Sequence, residues 1–105
     1  MIQVTEQEKS GWCVVGVSGR ADAEGADDLE ARLRAAVKNH RKVAADFSKV
    51  DYISSAGLRA LIEAARAAQA SRVEFAVCAP SAMVRQVFDI TGLEQILTIR
   101  GELPC

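Results

Sequence analysis

Two adjacent hydroxyls, Ser54 and Ser55, stand between a short apolar run and a strongly helical segment, with Ala56 and Gly57 directly after them. Val43, Ala44, Ala45 and Phe47 read as a buried strand too short for a helix, whereas Leu58, Leu61, Ile62 and Ala65 recur at helical spacing. A serine oxygen at such a junction accepts from the free N–H groups of the first helical turn, so either Ser54 or Ser55 can cap this helix. A second chemistry is open at the same place. A helix N-terminus attracts anions, so a hydroxyl displayed there can carry a phosphate or be presented to a kinase. Spacing alone leaves both readings standing.

Other chemistries lack their parts. A serine hydrolase needs a base, but His40 is the only histidine, it lies at the far end of the first helix from Asp22, and no G-x-S-x-G elbow surrounds Ser55. Gly16 and Gly19 match neither phosphate-loop spacing. Asp27 and Asp28 fall on a solvated helical turn with no apolar pocket to raise a carboxyl pKa. One histidine and the scattered Cys13, Cys78 and Cys105 form neither a metal ligand set nor a disulfide framework. Cys13 and Cys78 sit in apolar runs and read as small core residues, with Cys105 as an exposed free thiol. No cofactor is implied.

The chain has 105 residues, 50% hydrophobic and 26% charged, the balance of one soluble globular domain with a real core. Its formal net charge of −1 argues against a general nucleic-acid binder. Arg32, Arg34, Lys38, Arg41 and Lys42 follow Glu24, Asp27, Asp28 and Glu30, the acids-first order that suits a helix dipole, and they read as a solvated helix face. No secretory signal and no apolar span of membrane length are evident, so a cytoplasmic protein with no membrane partner is expected.

The elements that must position the serines follow from periodicity. Ile2 and Val4 alternate as a strand, Glu6 to Ser10 ends at Gly11 as a turn, and Trp12 to Val17 is a second strand broken by Gly19. Asp22 is placed to cap an amphipathic helix from about Ala23 to Asn39-His40, with Ala26, Leu29, Leu33, Ala36 and Val37 on one face. The strand Val43 to Phe47 leads through a turn, Ser48 to Gly57, into a helix from about Ala56 to Ala70. Val73 to Cys78 alternates as a strand, Pro80-Ser81 opens a helix closed by Thr91-Gly92, and Leu93 to Ile99 holds the last strand. Gly101 to Cys105 reads as a frayed tail. The order β-β-α-β-α-β-α-β predicts one small α/β domain over 1–105: a mixed, largely parallel sheet with an N-terminal antiparallel hairpin and packed helices. Loops leaving the C-terminal strand ends gather along one edge, which brings Asp22, the 48–57 segment and Pro80-Ser81 to one surface.

The segment Asp46-Phe-Ser-Lys-Val-Asp-Tyr-Ile-Ser-Ser-Ala-Gly-Leu58 resembles the signature of STAS domains, in particular the small anti-sigma factor antagonists of bacterial partner-switching systems. Val17 through Gly19 and Asp22 is similar to that family's entry into its first helix, and Pro80-Ser81 through Thr91-Gly92-Leu93 to its third helix and exit. The resemblance implies a STAS-like fold and a non-enzymatic switch. The family's phosphorylated serine stands two residues before the glycine, which is Ser55 here. Ser54 occupies a position that is often aspartate, so it offers a second hydroxyl, and Ala56 replaces a common hydroxyl residue.

What the resemblance implies is a partner-binding surface of Asp22, Asp46, Ser48, Ser54, Ser55, Ala56, Gly57, Leu58, Arg59 and Ser81. The expected partner is an anti-sigma factor that is itself a serine kinase of histidine-kinase-like ATPase fold. Binding by the unphosphorylated protein would free a sigma factor, phosphorylation of Ser55 would release the kinase, and a serine phosphatase would reset the switch. The alternative is a regulatory or structural STAS subunit of a transport assembly, such as a lipid-trafficking ABC complex, with no phosphoserine switch.

Overall fold

The opening strand is longer than its two apolar residues imply. In the computed structural model, which describes residues 2–102, β1 spans Ile2–Lys9 and β2 spans Trp12–Ala21, paired antiparallel along their length. The polar run expected as a turn is therefore mostly strand, and only Ser10 and Gly11 turn, at φ 54° and 85°. Two consecutive positive φ values make the two-residue connection whose twist suits a hairpin, and glycine fills the second at little cost. Gln3, Thr5, Gln7 and Lys9 are exposed on β1, an edge made polar against further pairing. Gly19 does not end β2. It sits at φ 96° inside the strand, where the register with the neighbouring strand shifts.

After β2 come α1 (Ala26–Asn39), β3 (Lys42–Ile53), α2 (Ser55–Ala70), β4 (Glu74–Cys78), α3 (Ala82–Thr91), a short 3-10 turn (Leu93–Gln95) and β5 (Ile99–Arg100). The sheet order is β1-β2-β3-β4-β5, with β2 to β5 parallel. Crossovers of one hand that always step in the same direction put every helix on the same face. The core records this. Leu29, Leu33, Leu61, Val84 and Phe88 from the helices join Val15, Val43, Phe47 and Val77 from the strands in one buried cluster. Trp12, Val14, Ala44, Ala76 and Cys78 form a second cluster that contains no helix residue, on the opposite face. Burying a large aliphatic or aromatic side chain stabilises by about 1.5–3 kcal/mol. Phe47 and Phe88, both fully buried, are therefore among the positions where truncation costs most.

Helix α1 begins later than its pattern suggests. Gly25 occupies the cap position without a side-chain bond, and Asp22 instead forms a turn before it, accepting from the Gly25 N–H on Oδ1 at 3.4 Å. Gly25 is buried, and a Cβ there would stand 2.6 Å from Ile2 Cγ2, so the chain passes under β1 before the helix can start. The larger departure is β3. The segment 48–53, expected as part of a turn, is strand. Its register against β2 slips twice, between Gly16/Ser18 and between Gly19/Arg20, each time fitting an extra β3 residue. The buried residues Phe47, Val50 and Ile53 consequently recur every three residues, a spacing with no strand period. The tail's first residues, Gly101 and Glu102, are exposed bends, whereas the expectation for Cys105 falls outside the described residues.

Cys13 and Cys78 are buried and unbridged, as their apolar surroundings imply. Burial pushes both thiols up. Glu6 and Glu8 add to this at Cys13, and at Cys78 a smaller opposing effect of Arg100 does not reverse it.

Candidate functional site

The second slip of β3 delivers Ile53 to the C-terminal edge of the sheet, and α2 begins two residues on. Ser54 is the cap of α2, with extended backbone at φ −95°, ψ 174°. Its Oγ accepts from Gly57 N at 3.3 Å and donates to Ala21 O at 3.3 Å, while its own N–H donates to the same carbonyl at 3.0 Å. Ser54 thus ties the first turn of α2 to the end of β2. That close approach explains Gly57. A Cβ at this position would collide with the Ala21 carbonyl oxygen and stand 2.9 Å from Ile53 Cγ1.

Ser55, the first residue of the helix, is in a different situation. It is exposed, and its hydroxyl makes no hydrogen bond among the described residues. Ser54 is committed to structure and Ser55 is free for chemistry, a distinction that the spacing of two adjacent serines cannot make. No acidic side chain occupies the first turn of α2, so the positive end of the helix dipole beside Ser55 is not neutralised from within the helix.

The neighbouring helix is fixed in the same way. Ser81 caps α3, its Oγ accepting from Val84 N at 3.3 Å and donating to Val50 O at 3.3 Å. The two caps clip α2 to the end of β2 and α3 to β3 near its C-terminal end, so their N-termini lie along one edge. Asp22, half-buried after β2, lies next to the Ala21 carbonyl that holds Ser54 and forms an ion pair with Arg20 at 3.7 Å. The guanidinium of Arg20 stacks over the Tyr52 ring, 4.1 Å from its centroid.

The fold therefore gathers Asp22, Ser54, Ser55, Ala56, Gly57, Leu58, Arg59 and Ser81 at or beside this edge, with Ser55 and Arg59 exposed and Leu58 half-buried. Asp46 and Ser48 do not join them in the same way. They lie within β3 at its first slip, with Ser48 N donating to Asp46 Oδ1 at 3.0 Å. Asp46 also lines a cleft of about 340 Å³ with Thr5, Gly16 and Lys49 on the helix-free side. Sequence reasoning missed Arg20 and Tyr52, which are register partners across β2 and β3 and so invisible to local spacing. It also missed Met83, 62% exposed in the first turn of α3, where an apolar side chain left in water was the available signal. His40 follows the last turn of α1 and offers these serines no base. Among the described residues no group of three potential ligands could hold a metal ion.

A strand-end aspartate, a capped helix with a free serine and a glycine pressed on the preceding strand occur together in a fold of one sheet and one helical layer. The chain belongs to the STAS-domain family, which it matches over residues 2–103. Its relatives and fold neighbours include anti-sigma factor antagonists, and a sulfate transporter family protein from Wolinella succinogenes shares the fold with a TM-score of 0.78 at 15% identity, over 90% of this chain and 80% of that one. The chain is 33% identical over 99 residues to a Bordetella bronchiseptica protein provisionally named anti-sigma factor antagonist BtrV, covering 93% of this chain and 85% of that one. The crystal structure of an anti-sigma factor antagonist from Mycobacterium paratuberculosis superposes with a TM-score of 0.84 at 27% identity, over 98% of this chain and 88% of that one. The anti-sigma factor antagonist SpoIIAA of Bacillus shares the fold. Its unphosphorylated form has a TM-score of 0.72 at 16% identity, over 99% and 90% of the two chains. No helix among the described residues is long and apolar enough to cross a membrane.

Proposed function

We propose that this protein is a switchable antagonist of an anti-sigma factor, acting in the cytoplasm. Unphosphorylated, it binds an anti-sigma serine kinase of histidine-kinase-like ATPase fold through the edge around Ser55, and a sigma factor is freed. Phosphorylation of Ser55 breaks that complex, and a serine phosphatase restores it. The observation that carries this reading is the division of labour between the two serines: among the described residues Ser54 has both hydrogen-bonding roles of its hydroxyl filled, and Ser55 has neither.

The physics of the switch follows from position. A phosphate adds roughly −1.5 to −2 charges at neutral pH. At the unneutralised N-terminus of α2 a negative charge is favourable by about 0.3–1 kcal/mol, so the fold tolerates it. A partner surface fitted to a neutral hydroxyl must desolvate the same charge, and unpaired or like-charge contacts cost several kcal/mol. Binding is lost where folding is not. Asp22, Arg59 and the exposed Tyr52 and Met83 are polar and apolar groups at or near the same sheet edge and open to such a contact. The test is phosphorylation by an anti-sigma kinase recovered with this protein by pull-down, with the peptides sequenced by mass spectrometry. Phosphate on Ser55, and none on the Ser55→Ala protein, is expected; phosphate on Ser54 alone would reject the assignment.

A further inference from the structure

A broad cleft lies at the opposite pole from Ser55, where α1 and α2 end and β3 and β4 begin. It holds about 820 Å³, within the range of small-molecule sites, and Arg34, Lys38, His40, Arg41, Ser71 and Arg72 stand around it. Among the described residues no carboxylate lines it. Arg34 is paired with Glu30 at 3.6 Å, but among the described residues Lys38, Arg41 and Arg72 have no acidic partner within ion-pair distance. This positive charge is concentrated in a chain whose formal net charge is −1.

Compensation of helix dipoles accounts for only part of it. Lys38 is the one basic residue in the last turn of α1, and the last turn of α2 has none. Arg41 and Arg72 belong to the connections that follow. At the end of α1 the Ala36 carbonyl accepts from His40 N at 3.0 Å, and at the end of α2 the Ala67, Ala68 and Gln69 carbonyls accept from the Ser71, Arg72 and Val73 N–H groups. Arg72 itself sits at φ 58°, just past the end of α2, in the left-handed position that glycine ordinarily fills. A long cation is held there against the local backbone preference.

The geometry points to a binding site in this cleft for a compact anion carrying several phosphate groups, read through its charge by Arg41, Arg72 and Lys38. Arginine suits the role because its planar fork donates two parallel hydrogen bonds to phosphate oxygens. The cations surround one concavity and form no stripe, and among the described residues no Phe, Tyr or Trp lines it to stack a base, so a nucleic-acid strand fits poorly. This inference is independent of what Ser55 does.

Calorimetric titration of the full chain with inorganic tripolyphosphate at roughly 50 mM salt tests it, because phosphate contacts weaken steeply as salt rises. Saturable one-site binding is expected, with amide shifts in the NMR spectrum confined to residues 38–41 and 71–73. The double variant Arg41→Ser/Arg72→Gly should bind at least about tenfold more weakly, the loss of one charge-assisted contact. Glycine at 72 suits the backbone there, so a melting curve no worse than wild type will separate lost binding from lost folding. Lys49→Ala, a cation removed from the helix-free side, should bind as wild type. Absence of saturable binding, equal weakening by Lys49→Ala, unchanged affinity of the double variant, or tighter binding of a short single-stranded DNA would each overturn the proposal.

Discussion

Replacing each serine in turn by alanine separates structure from switching, and the expected magnitudes differ enough to measure. Ser54→Ala removes the oxygen that accepts from Gly57 N at 3.3 Å and the hydroxyl that reaches Ala21 O at 3.3 Å. Loss of a serine cap costs about 0.5–2 kcal/mol. Ala21 O keeps its 3.0 Å bond from the Ser54 backbone, so no carbonyl is stranded, and the total should stay near about 1–2 kcal/mol. In a domain of this size each kcal/mol moves Tm by roughly 4–8 °C, so Ser54→Ala should melt about 5–15 °C below wild type. Ser55→Ala removes an exposed hydroxyl with no partner among the described residues and adds the best helix former, so its Tm should match wild type or exceed it by a few degrees. The assay is thermal and urea denaturation of both variants followed by circular dichroism, alongside kinase labelling. Ser54→Ala should still accept phosphate, and Ser55→Ala should not. Equal losses of stability in the two variants, or a neutral Ser54→Ala, would refute the division of labour.

Three further outcomes follow from the same geometry. Gly57→Ala drives a methyl into the Ala21 carbonyl, an overpacking cost of about 1–3 kcal/mol set against roughly 0.5–1 kcal/mol of helix propensity, so a net fall in Tm is expected; a rise would show that α2 can shift away from β2 freely. Ser55→Asp places charge at an accommodating helix end and should melt within a few degrees of wild type, which differential scanning calorimetry will show. Burial raises the thiols of Cys13 and Cys78, so the folded state holds their protons to higher pH than the unfolded chain does. Their contribution is complete below the ordinary thiol value of 9.0 and is lost as pH climbs through the raised folded values, so urea stability of the Cys105→Ser protein should decline above about pH 9. The same two thiols should resist a thiol reagent in the native protein at neutral pH.

The arrangement of the sheet was legible because alternating strand and helix periods, with short connections, leave few topologies for a parallel sheet. The helix ends were legible where a single residue dictates them. Gly92 at φ 73° closes α3 and Ser81 opens it, as their positions imply. The segment 48–53 was hidden because two slips of register turn an alternating strand into the three-residue spacing Phe47, Val50, Ile53, and such slips depend on β2, not on the local sequence. The two serines stayed equivalent for the same reason: what distinguishes them is the carbonyl of Ala21, 33 residues before Ser54 in the chain. Resemblance to a family chose Ser55 by its spacing from Gly57. The packing supports the proposal, since the Ser54 hydroxyl is occupied and Ser55 is exposed.

One phosphate on Ser55 should change binding and leave the fold alone. The most direct measurement is calorimetric titration of the cognate anti-sigma kinase with this protein, unphosphorylated and then stoichiometrically phosphorylated on Ser55, with melting curves recorded for both forms. The unphosphorylated protein should bind, and the phosphorylated one should bind at least about tenfold more weakly, a change of roughly 1.4 kcal/mol, with Tm within a few degrees. Equal affinity of the two forms would contradict it.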